Sequence, residues 1–209
     1  MGNSLYQISG VFGLFFTQLT GQQWAEVRYY LLPISCQLDK YERIMVKSRI
    51  KECDSALDAL RRRQEGKTFD RDRPELYTLL DLNDLAGVRI LAFPMRRLSE
   101  INQILLHQFS SWQDDPVKEN GTDETLAWKY FGLCPASDKV KGELQIVPML
   151  TGLFWEIEHA AMYKPTPELK GIVREEEMKN RRGEVYKAIK AFEEEFEKCV
   201  QQTQNMIIL

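Results

Sequence analysis

The sequence is poor in the residues that build metal and disulfide scaffolds. Its 209 residues include two histidines and four cysteines. Cys36, Cys53, Cys134 and Cys199 form no CxxC pair, so a structural zinc site is not expected. Thiols scattered in this way suit a reducing compartment better than a disulfide framework. Long apolar runs are also missing. Val11–Phe16 is too short to span a bilayer and no basic segment precedes it. The Met1-Gly2 start carries Tyr6 where a myristoylation signal wants Ser or Thr. These absences predict a cytoplasmic protein that makes no use of a membrane. Charge of one sign is absent too: 28 Lys and Arg stand against 31 Asp and Glu, which argues against bulk non-specific nucleic-acid binding. There is no P-loop, no GxGxxG and no GxSxG, and neither His107 nor His159 has metalloprotease spacing.

What is present reads as a mixed α/β (α+β) chain, a single domain over 1–209 with helical flanks. Apolar residues at three- and four-residue steps predict a helix over 8–34, punctuated by Gly21 and Pro33. A second helical stripe (Ile50, Cys53, Leu57, Leu60) lies in 41–63, with a basic polar side running from Arg43 and Lys47 to Arg61, Arg62 and Arg63. The stretch 65–74 is loop-like. "DLNDLAGVRILAF" (81–93) has strand character, and Leu98, Ile101, Leu105 and Phe109 outline a helix. Residues 111–127 lack either period and predict an exposed loop. "KYFGL" (129–133) and "GELQIV" (142–147) predict strands, followed by helices from about Thr151 to Lys164 and over 172–204.

Two strands each offer an acid near their start, Asp84 and Glu143. Spacing alone favours two exposed strand-end carboxylates. Brought together, they would need a proton or cation, and hard oxygens suit Mg²⁺ at a phosphoryl-transfer site. Strand alternation puts Glu143 and Gln145 on one face and turns Arg89 away from Ala86, Val88 and Ile90. The basic segment is either a solvated face or a phosphate clamp around Arg49 and Lys51. Glu158-His159 is either a buried hydrogen-bonding pair or a substrate contact.

Four blocks in order resemble the RelA/SpoT-type synthetases, which make guanosine tetra- and pentaphosphate alarmones. They are "KSRIKECDSALDALRRR" (47–63), "LNDLAGVRI" (82–90), "KYFGL" (129–133) and "ELQIVPMLTGLFWEIEHAAMYKP" (143–165). The resemblance spans about residues 40–170 and is most specific in the second and fourth blocks. It implies a nucleotidyltransferase (polymerase-β-like) fold and Mg²⁺-dependent transfer of the β,γ-pyrophosphate of ATP to the 3′-hydroxyl of GDP or GTP. By motif position Asp84 and Glu143 would bind the metal, with Glu143 also taking the hydroxyl proton. Arg49, Lys51 and Ser55, with Arg61 or Arg63, would hold ATP. Tyr130 would stack on the acceptor base, Gln145, Glu158 and His159 would shape the acceptor side, and Arg89 matches the family's strand arginine.

The departures bear on the acceptor. Ala59 stands where the first block usually has Lys. Lys129, Phe131 and Cys134 replace the Gly, Arg and His of the acceptor loop, and Val147 replaces an Arg. Two further readings therefore stand beside an alarmone synthetase. One is a toxin-type synthetase modifying adenine nucleotides or the tRNA 3′ end, paired with an antitoxin protein. The other is a nucleotide-binding pseudoenzyme. Self-association is a further expectation.

Overall fold

The computed structural model describes residues 2–51, 53–65, 79–118, 125–135, 137–159 and 175–207, with side chains over 17–51, 55–60, 62, 79–117, 125–135, 137–159 and 181–203. The elements are α1 (Gly2–Ser35), β1 (Arg43–Ile50), α2 (Cys53–Glu65), β2 (Ala86–Phe93), α3 (Arg96–Gln108), β3 (Gln113–Asp114), β4 (Val117–Lys118), β5 (Thr125–Leu133), β6 (Lys141–Pro148), α4 (Met149–Glu158) and α5 (Glu175–Ile207). The sheet runs β1-β2-β6-β5-β3, with β4 paired to β5 off that path. Among the described strands only β2 and β6 pair in parallel. Both are buried almost throughout, as strands covered on both faces must be.

One face packs on α1 and α3. Val88, Ile90, Ala92, Tyr130, Leu144 and Ile146 meet Val27, Leu31, Ile34, Leu98, Ile101 and Leu105 there. Burying a large aliphatic side chain contributes about 1.5–3 kcal/mol, so this layer dominates the apolar contribution to stability. On the other face Leu91, Ala127, Val147 and Met149 lie under Leu153 and Trp155 of α4. A side chain at Gly152 would collide with Leu91, so this glycine sets how closely α4 lies on the sheet.

Several expectations change. The helical stripe of 41–63 is divided between two elements. "RIMVKSRI" pairs along its whole length with β2, from Arg43 opposite Phe93 to Ile50 opposite Ala86, so tertiary pairing overrides the helical spacing. The indole of Trp24 on α1 donates to the Val46 carbonyl at 3.0 Å and so takes one acceptor of this edge strand. Helix α1 continues through Gly21 and contains Pro33 near its end. The loop of 111–127 contains β3, β4 and the start of β5. The loop expected at 65–74 and the C-terminal part of the helix toward Lys164 lie outside the described residues.

A buried ion cluster ties the ends of these elements together. The Glu42 carboxylate, fully shielded from solvent, accepts from Arg96 at 2.5 Å and from Arg97 at 2.6 and 3.0 Å. It also accepts from the Asp39 N–H at 3.0 Å. The Arg96 N–H donates in turn to Glu197 of α5 at 2.5 Å, and Phe196 packs on Tyr41 and Phe93.

Candidate active site

Sheet register lays polar side chains in two rows across the face opposite α1 and α3. Arg49, Gly87, Glu143 and Phe131 are successive partners on β1, β2, β6 and β5, and Lys47, Arg89, Gln145 and Lys129 form the next row. Asp115 continues that row, its N–H donating to the Lys129 carbonyl at 2.8 Å. Side chains directly opposite each other across a ladder share a face, so one register brings together residues nearly a hundred positions apart.

Gly87 leaves the gap the first row needs. A Cβ there would sit 3.2 Å from Arg49 Cγ and 3.3 Å from its Nε. The arginine therefore crosses over β2 and reaches Glu143 Oε2 at 2.9 Å. The same Nη2 lies 3.9 Å from Asp84 Oδ2, and Lys51 Nζ pairs with that oxygen as well. The two acids flagged in the sequence thus meet at one guanidinium. Asp84 does not begin a strand as expected; it sits in the turn two residues ahead of β2. The Lys51 N–H donates to the Leu85 carbonyl at 2.9 Å and fixes that turn beside the end of β1. Glu143 is buried within its strand and Asp84 is only partly covered.

These groups border a cavity of about 630 Å³ lined by Lys51, Arg62, Asp84, Lys129, Phe131 and Glu143 among others. Its size is that of a nucleotide-sized cleft. Arg62 projects from α2, where it pairs with Asp58 at 3.4 Å, and Ala59 of the same helix also lines the cleft. Ser55 is half-buried on α2. The side chains of Arg61 and Arg63 lie outside the described ones. No group of three or more His, Cys, Asp or Glu is gathered for a metal among the described residues. Two carboxylates converging on one cation still fit Mg²⁺, which takes one or two carboxylates and fills its shell with water and phosphate oxygens.

The acceptor-side expectations fare unevenly. Tyr130 stands opposite Leu144, on the core face. Its ring is 2% exposed and its hydroxyl donates to Asn102 at 2.6 Å; burial, with the nearby Asp114 charge, raises its pKa. It therefore does not face the cleft, and Phe131, one residue on, does. Cys134 is likewise buried, against Gly142, and burial pushes its thiol up to about 11. Glu158 pairs with Arg182 of α5 at 3.0 Å, and His159 is exposed at the end of α4.

Glu156 of α4 reaches the polar rows of this face, and sequence reasoning gave it no role. It takes Lys47 at 2.6 Å and Arg89 at 3.5 Å. Arg89 also donates its Nε–H to Gln145 Oε1 at 2.7 Å. Burial, with the Arg49 charge next, lowers the Arg89 pKa, and Glu156 and Glu143 oppose that shift. The signal available in the sequence was spacing: Glu156 lies seven residues after Met149 on α4, two helical turns along the same side.

No family model and no curated protein matches this sequence. Solved structures do. Small alarmone synthetase 1 from Bacillus subtilis bound to its product pppGpp superposes with a TM-score of 0.67 at 17% identity, covering 90% of this chain and 93% of that one. The same enzyme bound to AMPCPP gives 0.64 at 19% identity, over 90% and 94%. A GTP pyrophosphokinase family protein from Streptococcus pneumoniae gives 0.58 at 18%, over 90% and 92%. The mixed sheet with its flanking helices is thus a nucleotidyltransferase-like fold. More narrowly, the chain has the fold of the small alarmone synthetases over about nine-tenths of its length.

Proposed function

We propose that this protein transfers the β,γ-pyrophosphate of ATP to the 3′-hydroxyl of a guanosine nucleotide, GDP or GTP. The observation that carries the reading is the meeting of Asp84 and Glu143 at Arg49, beside the cleft of a fold shared with synthetases bound to pppGpp and AMPCPP. Bound Mg²⁺ would supply charge neutralisation of the transferring phosphates. Asp84 and Glu143 would hold it.

Arg49, Lys51 and Ser55, with Arg62 and its neighbours Arg61 and Arg63, bind the triphosphate of ATP. In the resting site Arg49 and Lys51 are neutralised by the two acids, so ATP phosphates and the metal exchange partners with them as they bind. The acceptor lies over β5, its base against Phe131, with Gln145 beneath the sugar. Its 3′-hydroxyl proton passes to Glu143 as the oxygen bonds to the β-phosphorus. The bond from that phosphorus to the α-phosphate oxygen breaks and AMP leaves.

A second reading has one observation in its favour. Along the β5 side Lys129 is matched by Asp115, so little net positive charge awaits a 5′-polyphosphate. That arrangement suits an acceptor held by base and sugar, such as the 3′ end of tRNA or an adenine nucleotide, in a toxin restrained by an antitoxin protein. Transfer of label from γ-labelled ATP, run in parallel on GDP, GTP, ADP, ATP and deacylated tRNA, separates the two. Label on a guanosine nucleotide supports the first reading and label on tRNA or ADP the second. Nucleotide binding without any transfer refutes both and leaves a pseudoenzyme.

A further inference from the structure

The second row of the site face contains a chain of contacts that starts outside the acid pair and ends at its border. Glu156 on α4 takes Lys47 with one oxygen and Arg89 with the other, at 2.6 and 3.5 Å. Arg89 then donates Nε–H to Gln145 at 2.7 Å. A guanidinium has only donors, so the atom it meets on the amide must be oxygen. The NH₂ of Gln145 is therefore turned away from Arg89, and no side chain among the described residues takes it. Gln145 is 6% exposed; it stands two residues after Glu143 on the same face, beside Lys129.

We infer that Glu156 is a positioning residue that acts through Arg89 to hold the Gln145 amide as a hydrogen-bond donor, aimed at an oxygen or ring nitrogen of the acceptor nucleotide. This rests on the proposed acceptor site and deepens it by assigning its orienting device. The charges facing Arg89 explain why an acid from another element is needed. Arg49 and Lys47 flank it on the sheet, and Glu143, the other nearby acid, is engaged by Arg49. Glu156 is the carboxylate paired with Arg89 among the described residues, and without it the guanidinium would be less firmly held against that repulsion and the amide would lose its fixed sense. Such supporting partners tune a site without touching the ligand.

The test uses calorimetric binding of GDP, ADP and a non-hydrolysable ATP analogue to the full chain. Wild type, Glu156→Gln, Gln145→Ala and the double variant are compared, with thermal melts of each. Glu156→Gln should weaken the preferred acceptor about tenfold, the worth of one well-made hydrogen bond, and leave the ATP analogue within about twofold. In the Gln145→Ala background the same change should cause no further loss, because the cycle then lacks its last member. An unchanged acceptor affinity, equal weakening of acceptor and ATP analogue with a lowered melting temperature, or additive losses in the double variant would each overturn the inference. So would a wild-type protein that binds neither GDP nor ADP. A protein that shows the expected cycle yet transfers no label would refute the proposed reaction and leave the positioning chain standing.

Discussion

Replacing Glu42 by Gln probes the ion cluster that joins β1, α3 and α5. Burial alone would raise the Glu42 carboxyl. The bonds from Arg97 and Arg96 and the Asp39 N–H outweigh it and hold the group at about 2, against an ordinary 4.5. That displacement corresponds to ~3 kcal/mol at ~1.4 kcal/mol per pH unit. It agrees with the ~3–5 kcal/mol lost when one partner of a buried ion pair is removed. The sign follows from the lowered value. Glu42 contributes its full stability above 4.5, and the contribution disappears as pH falls toward 2. Urea unfolding at pH 7 should therefore show Glu42→Gln less stable by about 3 kcal/mol, and melting should drop by about 6–12 °C for a chain of this size. The gap between wild type and variant should persist from pH 8 to about 5, then narrow through pH 4 and 3. A gap below about 1 kcal/mol, or one unchanged down to pH 3, would refute the argument, because either result means the carboxylate is not held by its arginines.

Four further outcomes follow from the geometry. Glu143→Gln should abolish label transfer in the parallel acceptor assay, since the proposed reaction uses this carboxylate both to hold the metal and to take the hydroxyl proton, while nucleotide binding persists. Gly87→Ala should leave stability within about 1 kcal/mol, because the side chain it meets is the flexible Arg49, yet lower transfer at least about tenfold by pushing that guanidinium off Glu143. Tyr130→Phe should cost about 1 kcal/mol in urea unfolding through loss of the Asn102 bond and leave the acceptor KM unchanged, whereas Phe131→Ala should raise that KM. Glu193 of α5, buried and with an unpartnered Oε1, is pushed up to about 7 by burial. A raised acid binds its proton in the folded state, so it stabilises below its unfolded value and that support is lost as pH rises to 7. Glu193→Gln should therefore flatten the stability profile between pH 5 and 8, as read by thermal melts.

The central strands were legible from their local apolar pattern, whereas spacing alone left Asp84 and Glu143 as separate strand-end carboxylates and only the motif resemblance paired them. β2 and β6 are buried along nearly their whole length, Asp84 lies in the turn two residues ahead of β2, and Glu143 is the third residue of β6. What failed was parity and partnership. "KYFGL" alternates two aromatics, and nothing local says which faces the core; the pairing of Tyr130 with Leu144 decides it. A one-residue change of face moves every assignment on the strand. "RIMVKSRI" has helical and strand readings of similar merit, and only its ladder with β2 separates them. Glu156 was hidden because its role depends on Lys47 and Arg89, 109 and 67 positions away.

The two acids are mounted differently. Glu143 belongs to a strand hydrogen-bonded on both sides, and Asp84 to a turn tied to the sheet through the Lys51–Leu85 bond. The two carboxylates are therefore held by different means, one by two strand ladders and the other by a single backbone bond and its ion pairs. A shift of that turn would move Asp84 together with the Leu85 carbonyl that Lys51 holds, while Glu143 keeps its register opposite Phe131.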